Sequence, residues 1–165
     1  MKKLLFLLLL STNLYGEPSK KLEVYVDLWP AGDFIATSTK IRGKVFKQGS
    51  KYTAKNIRIP VTSIETGIDL RNTHLQQRLK ADKAPKTNII LVEATGENGK
   101  GTATFKVNDL TQTVPFTFKE LSPKFIQATF TINFAKFKIP ALKYMGVGVQ
   151  DEAKVIIVLP LKEKK

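Results

Sequence analysis

The sequence predicts an all-β fold, an eight-stranded antiparallel barrel carrying one short helix. Three observations predict it. Apolar and polar residues alternate with period two in one segment after another between Leu22 and Leu161, as strands with one buried face require. Turn signals separate those segments: Gly32-Asp33, Gly49-Ser50, Gly96-Glu97-Asn98-Gly99 and Asn108-Asp109. Only Leu70 to Lys80 breaks the alternation. Closure into a barrel follows because it leaves no exposed strand edges. A sandwich is the competing architecture.

The elements follow in chain order. Leu22, Val24, Val26 and Leu28 alternate with Lys21, Glu23, Tyr25 and Asp27, which gives a first strand with one apolar face. Phe34 to Phe46 is extended and Thr-rich, either one strand or a bent pair around Gly43. Thr53 to Val61 places Ile57, Ile59 and Val61 on one face. In Leu70 to Lys80, Leu75 and Leu79 stand at i,i+4 with Gln76, Gln77 and Arg78 between them and Asp69 available as a cap, so this segment is read as the helix. Asn88 to Thr95 is apolar on both faces. Gly101 to Val107 offers Ala103, Phe105 and Val107, and Thr113 to Lys119 offers Val114, Phe116 and Phe118. The clearest alternation is Ile126, Ala128, Phe130, Ile132 and Phe134 against Gln127, Thr129, Thr131 and Asn133. Ala153 to Leu159 completes the set. Pro60, Pro85 and Pro140 suit strand ends or bends.

Lys2 and Lys3, the apolar run Leu4 to Leu10 and the polar end Ser11 to Gly16 read as a secretory signal peptide, residues 1–16. The run is too short to span a bilayer core, which takes about 20 apolar residues. Residues 17–165 are then one exported domain, periplasmic or secreted. There is no cysteine, which excludes disulfides, thiol nucleophiles and a lipid anchor on sulfur. The formal charge of +13 favours anionic partners such as a membrane surface or serves solubility alone. Nucleic acid is not expected, because no aromatic and basic cluster suggests a base-stacking platform.

No cofactor or metal is expected. His74 is the only histidine, and zinc sites draw on several His or Cys ligands. Ser63, His74 and Asp69 lack the strained turn of a serine nucleophile, and Glu65 with Asp69 shows no mark of a catalytic pair. Gly96 to Thr102 resembles a phosphate loop only superficially, since Ala94 and Gly101 fall where the motif needs glycine and a hydroxyl; it is a turn. Arg71, His74 and Arg78 share a helix face by spacing, either a cationic patch for a phosphate or carboxylate head group or an ordinary basic surface. Phe105, Phe116, Phe118, Phe130 and Phe134 suit either a filled core or an apolar tunnel.

Ser63-Ile64-Glu65-Thr66-Gly67 followed by Arg71, His74 and Leu75 resembles the YceI-like family of exported lipocalin-like barrels, which carry Ser-Ile-Asp-Thr-Gly and Arg-Asp-x-His-Leu at the same spacing. Val107 to Val114 and Gly148 to Val155 are similar to two later family segments. Asn72 stands where the family has Asp, and Ala135 to Ile139 reduces its Arg-x-Asp-Phe-Gly-Ile motif. The resemblance implies a non-catalytic protein that holds a long isoprenoid, such as a quinone or prenyl pyrophosphate, or a similar amphiphile, for storage or transport. Ile57, Ile59, Phe105, Phe116, Phe118, Phe130, Ile132 and Phe134 would line the chain, with Arg71, His74 and Arg78 toward its head. A filled structural or adhesive barrel and an enzyme acting on a lipid in the barrel are the alternatives.

Overall fold

The computed structural model describes residues 16–30, 32–84, 86–139, 143–144 and 147–164. Apart from Gly16, the expected signal peptide lies outside the described residues, as do Pro85 and Pro140. Ten strands occur among the described residues: β1 (Lys21–Trp29), β2 (Gly32–Ser38), β3 (Val45–Gln48), β4 (Lys51–Pro60), β5 (Asn88–Glu97), β6 (Lys100–Val107), β7 (Leu110–Ser122), β8 (Phe125–Asn133), β9 (Lys143–Tyr144) and β10 (Val147–Glu163). They form one sheet in the order β2-β1-β10-β3-β4-β5-β6-β7-β8, and β10 pairs β8 as well. The barrel ring therefore comprises seven strands, β3 to β8 and β10, with β1 and β2 as an added hairpin and β9 beside β10.

The barrel closes as expected, but on seven strands rather than eight and with a different closing device. β10 is 17 residues long, long enough to take partners in succession along one edge. It runs antiparallel to β1 from Gly148 to Val158, then parallel to β3 from Leu161 to Glu163. Its other edge pairs β8 from Glu152 to Pro160. Among the described residues this parallel pairing makes the barrel mixed, where period-two alternation had implied a wholly antiparallel one; alternation reports faces and is blind to direction. Phe34 to Phe46 resolves into two strands, β2 and β3. The chain bends between them at Gly43, whose φ of +121° and close approach to Ile57 leave no room for a side chain.

Local rules account for the rest. Asn98-Gly99 has φ of 52° and 78°, the left-handed pair that joins β5 to β6 in a two-residue hairpin, so the glycine-rich segment is the expected turn. The run Asn88 to Thr95 is apolar on both faces because of a bulge at Val92: the β5–β6 register shifts between Leu91↔Phe105 and Glu93↔Thr104. Leu91 and Ala94 both face inward as a result, and Val92 is exposed.

The helix α1 spans Asp69–Arg78. Ile68 occupies the N-cap position and Asp69 lies in the first turn, so Asp69 is not the cap that its residue type suggested; its charge still suits the positive end of the helix. The helix ends in a Schellman arrangement. Lys80 takes the left-handed position at φ 57°, Lys80 N donates to Gln77 O at 3.1 Å, and Ala81 N donates to Gln76 O at 2.7 Å.

Strand directions define two barrel ends. α1, the 3-10 turn Val61–Ser63 and the β6–β7 turn lie at one, which is plugged by buried Val61, Ile64, Leu79, Ala81 and Phe137. The β3–β4, β5–β6 and β7–β8 turns lie at the other.

Candidate functional site

Register places the interior residues in belts. Nearest the turn end, Tyr52, Gly96, Gly101, Phe116, Phe130 and Val155 are successive cross-strand partners from β4 to β10. The neighbouring belt is Ala54, Ala94, Ala103 and Val114. The wall formed by β5 and β6 is thus made of Gly and Ala at this level, with Tyr52 and Ala54 beside it on β4, and the facing wall of β7 and β8 carries aromatic rings. The small wall leaves space that the rings fill. A Cβ on Gly96 would lie 2.7 Å from Cε1 of Phe118, and one on Gly101 would lie 2.5 Å from Cζ of Phe116. Phe105 stacks on Phe130 with centroids 4.7 Å apart, and Phe118 meets Tyr52 at 4.7 Å.

Between the walls remains a void of about 40 Å³, lined by Ala54, Ala94, Ala103, Phe116, Phe118 and Phe130 among others. It admits a group little larger than a water molecule, whose share of the liquid is ~30 Å³. Every buried side-chain polar atom among the described residues has a partner, and the buried polar residues, Ser38 and Thr66, are both short. The interior is apolar and nearly full.

The turn end of the void is crossed by polar side chains that alternation alone did not single out. Lys47, Tyr52 and Glu120 are all inward-facing by register, being two residues beyond Val45, Ala54 and Phe118 on their strands. Lys47 Nζ lies 2.8 Å from Glu120 Oε1, and the Tyr52 hydroxyl donates to the same carboxylate oxygen. These hydrogen bonds from Lys47 and Tyr52 hold the Glu120 carboxyl below its ordinary value. The Glu120 carboxylate in turn raises Lys47 and Tyr52 above theirs. Their pairing was hidden in sequence because Glu120 is 68 residues from Tyr52. Only the register of β4 through β7 brings them together.

Of the residues expected to line a chain, Phe105 and Phe130 are buried and Phe116 and Phe118 half-buried around the void. Ile57 and Ile59 are buried deeper, toward the helix end, and Ile132 is half-buried against the core. Phe134 leaves the series: β8 ends at Asn133, and Phe134 begins the 3-10 turn Ala135–Phe137. Arg71, His74 and Arg78 do not converge on the void. The Arg71 guanidinium lies 4.6 Å from the centroid of the Phe34 ring. Arg78 borders a separate surface hollow of about 480 Å³ with Lys80, Asp109, Phe137 and Lys138, which neither Arg71 nor His74 lines. Ser63 is structural, donating to Pro60 O at 2.7 Å while Ser38 donates to it at 2.8 Å.

Asn72 ties the loop before α1 to the helix. Its Oδ1 accepts from Thr66 N and Thr66 Oγ1, both at 2.8 Å, and its Nδ2 donates to Glu65 Oε2 at 2.7 Å. An amide supplies both polarities here, whereas a carboxylate would set two like charges in contact. Asn72→Asp is therefore expected to lower stability by about 1 kcal/mol at neutral pH, and to recover most of it when combined with Glu65→Gln, as denaturant melts of the single and double variants would show.

A family model described as a YceI-like domain matches residues 24–161. Among solved structures, a polyisoprenoid binding domain from Saccharophagus degradans implicated in plant cell wall breakdown is similar at a TM-score of 0.59 and 15% identity, over 85% of this chain and 91% of that one. The Campylobacter jejuni YCEI protein is similar at 0.54 and 18% identity, over 79% and 85%. At such identities the likeness is one of fold. No curated protein matches the chain.

Proposed function

The chain belongs to the YceI-like family, and from that membership and its apolar interior we propose that it binds a long isoprenoid or comparable amphiphile inside the barrel and stores or carries it outside the cytoplasm. The family is one of binding proteins, generally without catalysis. The observation that carries the reading is the pair of facing walls, Gly and Ala on β5 and β6 and aromatic rings on β7 and β8, with a void between them that polar side chains reach at its turn end, where Tyr52 meets Glu120. The S. degradans relative is described as a polyisoprenoid binding domain, which supports the same ligand class. The formal charge of +13, or +11 without Lys2 and Lys3 of the signal peptide, supports peripheral contact with an anionic membrane surface during exchange.

The size of the void constrains how such binding works. At about 40 Å³ it does not hold a chain, so the rings of Phe105, Phe116, Phe118 and Phe130 must swing aside as the chain enters. Burial repays that movement: at ~0.8 kcal/mol per CH₂, each five-carbon unit supplies roughly 4 kcal/mol before the costs of association. The small void equally favours a second reading, a filled structural barrel with no ligand.

A titration of isoprenoids of increasing length separates the two. Affinity is expected to climb with length until the interior is full, with little salt dependence for a neutral head and more for a pyrophosphate. A flat dependence on length would leave the filled barrel.

A further inference from the structure

We propose that the apolar chain enters and leaves through the barrel end opposite α1, and that Lys47, Tyr52 and Glu120 form the latch across that port. The inference rests on the carrier reading and says where and how the site opens. The helix end is shut by side chains: Val61 is fully buried, and Ile64, Leu79, Ala81 and Phe137 are nearly so. Opening there would strip a packed core. The void instead lies toward the turn end, where Tyr52 and Phe118 are among its lining residues.

The closure at that end is made by side chains alone. Tyr52 belongs to β4 and Glu120 to β7, and β5 and β6 stand between them. Gly96 and Gly101 occupy the intervening inward positions, so the rings of Tyr52 and Phe118 meet across the flattened wall. The Lys47–Glu120 ion pair and the Tyr52–Glu120 hydrogen bond lie beyond that ring contact, one step further toward the turns. No ladder hydrogen bond joins β4 to β7. The port opens by rotating side chains, with every strand pairing kept.

The same groups indicate the head that suits the port. Once parted, Lys47 and Tyr52 present hydrogen-bond donors at the mouth while Glu120 remains a carboxylate beside them. Donors and net charge near zero favour a neutral head with an acceptor oxygen, such as a quinone carbonyl or a prenol hydroxyl. A pyrophosphate meets the Glu120 charge. The port is therefore expected to admit geranylgeraniol in preference to geranylgeranyl pyrophosphate.

The absence of cysteine makes a direct test available. Ala94→Cys places one thiol at the void, where Ala94 is 8% exposed. Its rate of modification by N-ethylmaleimide reads opening without any lipid, and native mass spectrometry reads uptake of geranylgeraniol by the full-length protein. Glu120→Gln and Lys47→Met, each introduced with Ala94→Cys, are expected to speed both modification and uptake by roughly five-fold, the weight of one partly exposed ion pair. Lys80→Gln, in the hollow at the helix end, should change neither. The paired variants reach the latch from both sides, so the loss of one fold still leaves an answer. If geranylgeraniol binds and neither latch variant alters either rate, or if Lys80→Gln does, the port is elsewhere and the proposal fails. If the latch variants speed modification but no form takes up geranylgeraniol, the carrier reading fails and takes the port with it.

Discussion

Phe130→Ala is expected to cost about 3–5 kcal/mol of stability and to leave a barrel that takes up small apolar molecules. Phe130 is 7% exposed, stacks on Phe105 at 4.7 Å and forms part of the wall of the existing void. Removing its ring deletes buried apolar surface and joins the space it vacates to that void. A cavity of that kind lined by alanine and phenylalanine stays dry and accepts benzene-sized ligands. Thermal melts should show a fall of roughly 10 °C, taking about 2–4 °C per kcal/mol for a chain of this size, and saturating benzene should restore part of it. The loss of stability tests the packing. The benzene effect tests the void, and its absence would mean that the walls collapse inward.

Gly101→Ala is also expected to be damaging, for the opposite reason. Its Cβ would lie 2.3 Å from the carbonyl oxygen of Thr95, 2.5 Å from Cζ of Phe116 and 2.8 Å from Cα of Gly96. Two of those three neighbours are backbone, so the β5–β6 ladder itself must move. Overpacking of this kind costs about 1–3 kcal/mol, with the upper end or more expected where backbone must yield. Replacing Phe116 with leucine in the same chain should recover only the part due to the ring. Melts of the single and double variants measure that share directly, and a full recovery would show that the backbone contacts are easily relieved.

These two residues also mark what the sequence reveals and what it conceals. Phe130 sits in the most regular alternating run of the chain, so its inward orientation is legible from period two alone. Gly101 reads as the first residue of the strand Gly101 to Val107, beside the turn at Asn98-Gly99; its place opposite a ring emerges only from the pairing Gly101↔Phe116. The same limit applies to the site. Hydrophobic alternation identifies side chains that share a face within a strand, and it located Phe105, Phe116, Phe118 and Phe130 correctly as an interior set. It carries no information on contacts across the barrel, which is why Lys47, Tyr52 and Glu120 were not recognised. Helical spacing had a converse weakness. It grouped Arg71, His74 and Arg78 by their positions on α1, whereas Arg71 meets Phe34 of β2 and Arg78 borders the β6–β7 turn and the 3-10 turn Ala135–Phe137.

The seam formed by β10 bears on how the molecule assembles in time. Before residues 147–163 are available, the chain has a β1–β2 hairpin and a β3 to β8 meander, and among the described residues the isolated bridge Thr37↔Glu65 ties the hairpin to the segment after β4. Each unit can be zipped from sequential neighbours, which is the fast part of building a sheet. The two then wait, with the outer edges of β1, β3 and β8 bare, for a single strand that satisfies all three. Bare edges are templates for pairing with other chains. A polypeptide that completes its ring last would spend its most vulnerable interval with these edges open, and protection of those three edges is what a chaperone for this protein would have to provide.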